Sequence, residues 1–186
     1  FFQDDKLVVF NGSDVFISLD LKSKKISLSN LKNPSPANDS SLYEGNFYTL
    51  SENKIYKYAD ALAGGVDRST WNKIELGNVV ALTVDGDIYV LTSEGKLLKL
   101  FKGIKETEYD ILLTPAAGVV LTTYKDHPFI YISDKENKRV YVFDKSGTHI
   151  TTHKLDAASS IKDISIAPNG SIWILSTDNK VWTLNP

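Results

Sequence analysis

The 186-residue chain carries 21 Lys and Arg against 23 Asp and Glu, a formal net charge of −2, with 42% hydrophobic and 24% charged residues; this balance excludes a disordered chain and lacks the electrostatic footprint of a dedicated nucleic-acid binder. The absence of Cys excludes a disulfide framework, a thiolate zinc site and a cysteine nucleophile. The longest apolar stretch, 111–121, contains Pro115 and is too short to span a bilayer, so no membrane insertion is expected.

In chain order, residues 7–10 (LVVF) and 15–18 (VFIS) flank the polar turn Asn11-Gly12-Ser13-Asp14, and 25–31 follows as an outer strand. A long loop, 32–40, carries Pro34 and Pro36. The pattern returns at 47–50 (FYTL) and 55–58 (IYKY). A short helical candidate, 58–62, is stopped by Gly64-Gly65; 60–70 reads as a second long loop and 71–76 as the outer strand. Next come an inner strand at 81–84, the turn Asp85-Gly86-Asp87, a hairpin at 88–91 and 97–100, and an outer strand at 109–113. The fourth copy has an inner strand at 120–123, a hairpin at 130–133 and 140–143, and an outer strand at 149–155. The fifth has an inner strand at 163–166, the turn Pro168-Asn169-Gly170, and a hairpin at 172–175 and 181–184. The paired runs are rich in Val, Ile, Tyr, Trp and Phe, and Gly, Asn and Asp fill the turns, which is how hairpins read in a sequence.

The hairpins start at residues 7, 47, 88, 130 and 172, a spacing of about 40–42 residues that suits four-stranded blades. A single such sheet cannot bury both faces, but sheets packed side by side can, which explains the continuous apolar middle strands. The expected fold is all-β, a β-propeller of about five four-stranded antiparallel blades forming one domain over 1–186. The repeats fall near 1–38, 39–77, 78–116, 117–158 and 159–186. Matching Leu7 to Ile88 places Phe1 inside an inner strand, and the fifth copy lacks an outer strand within this sequence. The expectation is a piece of a longer chain, open at its ends and able to self-associate through unpaired blade edges.

Residues 130–147 read IYISDKENKRVYVFDKSG. This segment resembles an NHL repeat at Ile130, Tyr131, Asp134, Asn137, Arg139, Phe143, Asp144 and Gly147, and is also similar to the Tyr-Trp-Thr-Asp class of repeats without its Trp. The other four copies keep the strands and lose the Asp and Arg. The resemblance implies a propeller scaffold that binds proteins, glycans or RNA, with occasional metal-dependent hydrolases or lyases. Fold alone does not choose among these.

Few residues form a constellation with chemistry. His149 and His153 would face one side of a strand with Cα atoms roughly 13 Å apart, too far to share one metal. Asp85 and Asp87 around Gly86 lack the longer spaced acidic set of a calcium loop, so a hairpin turn is expected. Asp134 and Arg139 could pair across their hairpin. Lys22, Lys24 and Lys25 read as a solvated edge. Two aromatic ladders recur, Tyr48, Tyr89, Tyr131 and Trp173, and Phe16, Tyr56, Tyr141 and Trp182, with Leu98 interrupting the second; repetition at strand centres points to packing between blades. The expected function is noncatalytic binding, without metal or cofactor, through loops at one end of the propeller. Tyr124, Lys125, Asp126 and His127 form the candidate ligand-binding patch, since one turn there combines an aromatic, both charge signs and an imidazole. The partner would be a protein or, in a lectin-like alternative, a glycan; a fragment of a propeller hydrolase is the third reading.

Overall fold

The computed structural model describes residues 1–111, 120–123, 126–135, 137–156 and 160–184. It divides into two compact units, Phe1–Gly77 with Lys102–Ile104, and Asn78–Phe101 with Lys105–Pro186. The first unit holds two antiparallel sheets: β1 (Phe2–Gln3), β2 (Lys6–Phe10), β3 (Val15–Asp20) and β4 (Ile26–Asn30), then β5 (Asp39–Tyr43), β6 (Asn46–Ser51), β7 (Lys54–Tyr58) and β8 (Arg68–Thr70). The third sheet comprises β9 (Val79–Val84), β10 (Ile88–Thr92), β11 (Lys96–Phe101) and β12 (Ile104–Asp110). The fourth comprises β13 (Val120–Thr123), β14 (Phe129–Asp134), β15 (Arg139–Asp144) and β16 (His149–Lys154). The fifth has three strands among the described residues: β17 (Ile161–Ile166), β18 (Ile172–Ser176) and β19 (Val181–Leu184). All five expected hairpins form. The only helix among the described residues is a 3-10 turn, Ala61–Ala63, closed by Gly64 at φ 98°.

Neighbouring sheets within a unit join in one repeated way. The third sheet offers Tyr89, Leu91 and Leu97 to Leu121, Ile130, Ile132 and Phe143 of the fourth. The fourth offers its other face, with Tyr131, Val140 and Val142, to Ile164, Ile166, Ile172 and Ile174 of the fifth. In the other unit, Val8 and Phe16 of the first sheet meet Phe47 and Tyr58 of the second. Each time the face bearing the second residue of the hairpin (Val8, Tyr89, Tyr131) lies on the face bearing the first and third residues of the next. Both faces of the fourth sheet are thereby covered, which is why β14 reads as a nearly unbroken apolar run.

Two outer strands lie earlier than expected. Residues 71–76 are not a strand: β8 pairs Arg68, Ser69 and Thr70 with Tyr58, Lys57 and Tyr56. The ladder ends because the Asn72 side chain takes over from the backbone, its Oδ1 accepting from Ile55 N–H at 2.8 Å and its amide donating to the Ile74 carbonyl at 2.8 Å. Arg68 stacks over the Tyr56 ring at 4.0 Å and fixes the earlier register. In the third sheet β12 starts at Ile104, directly after Lys102 and Gly103, whose φ values of 50° and 88° make a tight hairpin turn. A further correction concerns the loop at 32–40, which ends in β5 at Asp39, an inner strand whose polar DSSLY text hides its role.

The ladder Tyr48, Tyr89 and Tyr131 is buried, and Trp173 departs from it at 49% exposure. A packing role between sheets therefore holds for Tyr89 and Tyr131, which sit in clusters shared by two sheets, and not for Trp173.

Candidate functional site

The inner-to-second turns of the third, fourth and fifth sheets and the second hairpin turn of the fourth gather at one rim of the second unit. Asp85, in the turn from β9 to β10, is its anchor. The side chain is 4% exposed, yet both of its neighbours across the sheet boundary are polar. Lys145 of the β15–β16 turn reaches Asp85 Oδ2 at 2.6 Å, and the Thr123 hydroxyl at the end of β13 lies 3.0 Å from the same oxygen. That hydroxyl also lies 2.9 Å from the Phe129 carbonyl, so Thr123 links the turn to its own hairpin. Lys145 is held in place by its backbone: its N–H donates to the Pro128 carbonyl at 3.0 Å, and its carbonyl accepts from the Tyr109 hydroxyl at 3.4 Å. Gly147 allows this approach. A Cβ there would sit 2.3 Å from Tyr109 Cγ, and its φ of 86° disfavours any other residue. The Gly of the NHL-like segment thus has a packing reason.

Asp87, two residues on, points to a different partner. Lys99 bridges Asp87 at 3.0 Å and Glu106 at 2.6 Å, and these bonds, Glu106 foremost, hold the Lys99 ammonium well above its ordinary range. The two carboxylates flanking Gly86 therefore diverge, each neutralised by its own lysine. Burial, with Asp85 the next cause, pushes the neighbouring Tyr89 hydroxyl far up. Removing Asp85 leaves the Lys145 ammonium without its acceptor at a sheet boundary, so Asp85→Ala is expected to cost about 2 kcal/mol. Urea unfolding of Asp85→Ala, Lys145→Met and the double variant should show coupling on the order of 1 kcal/mol; additive effects would separate the two residues.

Of the four residues in the candidate patch, Tyr124 and Lys125 lie outside the described residues. Asp126 is exposed and His127 is half-buried. The His127 ring places Nε2 at 2.8 Å from the Pro168 carbonyl of the next sheet's turn. A carbonyl only accepts, so Nε2 carries the proton and donates it. His127 thus ties the fourth sheet to the fifth just as Asp85 ties the third to the fourth. Both bridges join residues about forty positions apart, 41 for His127–Pro168 and 38 for Thr123–Asp85, and no local motif announces them.

The other candidates fall into turns and surfaces. Asp134 accepts from Asn137 N–H at 3.0 Å and from its amide at 2.7 Å, closing its own turn. The Arg139 guanidinium is held charged chiefly by a hydrogen bond to Tyr141, with Asp134 a smaller contributor. His149 and His153 do not share a face. A bulge between Val142 and Phe143 sets His149 opposite Phe143 and His153 opposite Val140, which belong to opposite faces of the sheet. His149 packs edge-on against Phe143 and lies 2.8 Å from the Thr152 hydroxyl. Lys22 pairs with Asp5 at the surface. Among the described residues no group of three His, Cys, Asp or Glu side chains is placed to hold a metal ion.

No family model matches the chain, and no curated protein matches it in sequence. Among solved structures it is similar to the WD40 β-propeller domain of Doa1, at 20% identity and a TM-score of 0.63 over 94% of this chain and 61% of that one. It is also similar to a streptogramin B lyase, at 18% identity and a TM-score of 0.64 over 99% of this chain and 66% of that one. Virginiamycin B lyase from Staphylococcus aureus gives 15% identity and a TM-score of 0.64, over 100% of this chain and 68% of that one. Likeness at these identities shows the fold, a β-propeller, and no activity. The chain spans less than two thirds of the length of the first two of these structures.

Proposed function

We propose that the chain is a noncatalytic propeller module that binds a protein partner through the rim carrying Asp126 and His127. The observation that supports this best is the knitting of four turns into one surface by the Asp85–Lys145, Lys145–Pro128 and His127–Pro168 contacts. Loops held by a rigid scaffold present side chains at low ordering cost, which suits recognition. The same bridges weigh against general acid–base chemistry at the rim, since the Nε2 proton of His127 and the carboxylate of Asp85 are both engaged within the protein. The NHL-like text of the fourth repeat agrees with an interaction scaffold.

The lyases among the structural neighbours favour a second reading, an enzyme of that kind, and one experiment addresses both. The chain is immobilised and presented with a proteome and a glycan array, and in parallel assayed for turnover of a streptogramin B. We expect a protein partner whose retention falls at least about tenfold when Tyr124, Lys125, Asp126 and His127 are replaced together by Ala or Ser, as removing a central contact cluster does. Binding unaltered by those substitutions rejects the rim. Specific glycan retention that those substitutions abolish would make the chain a lectin, and turnover that persists through repurification would make it an enzyme.

A further inference from the structure

Among the described residues, two sheet faces are exposed where the equivalent faces of other sheets are buried. One belongs to the fifth sheet. Trp173 occupies the register held by Tyr89 and Tyr131, which are 1% and 3% exposed, but is itself 49% exposed. Beside it the pair Leu175–Val181 matches Leu91–Leu97, where both side chains are 0% exposed, whereas Val181 is 60% exposed. These residues bound a shallow hollow with Asp163 and Ser165 at its margin.

The other belongs to the first sheet. The register sets Leu7, Leu19 and Ile26 in one row across β2, β3 and β4, and Val9, Ile17 and Leu28 in the next. Leu7 and Val9 stand where Ile130 and Ile132 stand in the fourth sheet and Ile172 and Ile174 in the fifth. Those four are at most 3% exposed; Leu7 is 44% and Val9 55% exposed, with Ile26 and Leu28 at 67% and 61%. Together the six form an apolar patch of several hundred Å², a size that marks an interaction surface rather than scattered exposure.

The faces are of opposite kinds. In each joint described above, a face of the Trp173 kind lies on a face of the Leu7–Val9 kind. A second copy of the chain therefore carries the surface each exposed face is shaped to receive. We propose that the chain self-associates head to tail, the Trp173 face of one copy packing on the Leu7–Val9 face of another and recreating the joint between the fourth and fifth sheets. Such a contact is heterologous: it extends from copy to copy unless the rotation closes a ring. One sheet-on-sheet joint lies at the small end of stable interfaces, so association on the order of micromolar is expected. The contact uses whole sheet faces, not unpaired strand edges, and leaves the Asp126–His127 rim out of it.

Sedimentation velocity of the full chain, from about 1 μM to several hundred μM, spans the affinities such a joint would give. The mass should rise above the single-chain 20.7 kDa with concentration. Val9→Asp and Trp173→Asp should each be monomeric alone, and a 1:1 mixture should form a dimer, because each variant keeps the face the other has lost. Circular dichroism and thermal unfolding check that both fold; Leu28→Glu and Val181→Glu, at the margins of the same faces, replace either variant that does not. Wild-type protein monomeric throughout, or a mixture that stays monomeric, overturns the proposal. So does dimerisation of Val9→Asp alone, which would mean the Trp173 face pairs with itself, or of Trp173→Asp alone. A glycan bound at Trp173 by a chain that never self-associates also overturns it.

Discussion

Tyr131→Ala is expected to cost about 3–5 kcal/mol of stability, and Trp173→Ala, one repeat later at the same register, less than about 1 kcal/mol in the monomer. The residue types would rank them the other way, since Trp is the larger side chain. Surroundings decide instead. Tyr131 is 3% exposed and packs within the cluster of Val140, Val142, Ile172 and Ile174, so its removal leaves a void that the two sheets cannot close. Trp173 has protein on one side only, at 49% exposure, and truncating it opens a dent to solvent. Urea unfolding followed by circular dichroism, at a concentration too low for association, measures both. Equal losses would mean that the fifth sheet is covered in the monomer, and the distinction between the two faces would fall.

The five hairpins were legible because both strands of each are apolar and their turns hold Asn, Asp and Gly, so local preference and burial agree. Outer strands were harder. The text of β12, IKETEYD, is exposed almost throughout, and a strand with no buried face has no reason to alternate. Position 72 shows a different limit. An Asn side chain that substitutes for a ladder carbonyl ends a strand without any Gly or Pro to announce it. The parity of His149 and His153 depended on one bulge residue, which a strict two-residue period cannot show. At the rim, the sequence singled out Asp126 and His127 but not their setting. It read Asp85 as an ordinary turn residue, although the carboxylate is buried against Thr123 and Lys145 of the next repeat. Such bridges depend on how consecutive repeats dock. A search within repeats misses them, and the remaining signal was a carboxylate, a hydroxyl and a lysine at turns of one end.

Alkaline unfolding should begin just above pH 10 and be steep. Burial pushes the hydroxyls of Tyr48, Tyr58, Tyr89 and Tyr131 up from their ordinary range, with Asp85 adding to the effect on Tyr89. The unfolded chain releases these protons near pH 10, whereas the folded chain retains them to higher pH. Stability is therefore fully present below pH 10 and falls as pH rises through the folded values. A tyrosine still protonated in the folded state at pH 11 costs about 1.4 kcal/mol, the free energy of ionising its unfolded counterpart. Tyr89, the most strongly shifted, should contribute that full amount, and Tyr48, Tyr58 and Tyr131 shift stability in the same direction. Ultraviolet absorbance of tyrosinate and circular dichroism, followed together across pH 9 to 13, should show ionisation of these tyrosines coinciding with loss of sheet structure. Tyr89→Phe keeps the ring and deletes the titrating group, so its alkaline midpoint should lie above that of the parent chain, while lysine deprotonation affects both proteins alike. An unchanged midpoint, or tyrosinate absorbance that saturates at ordinary pH with the sheet signal intact, would show that water reaches these hydroxyls and that the joints between sheets are not closed around them.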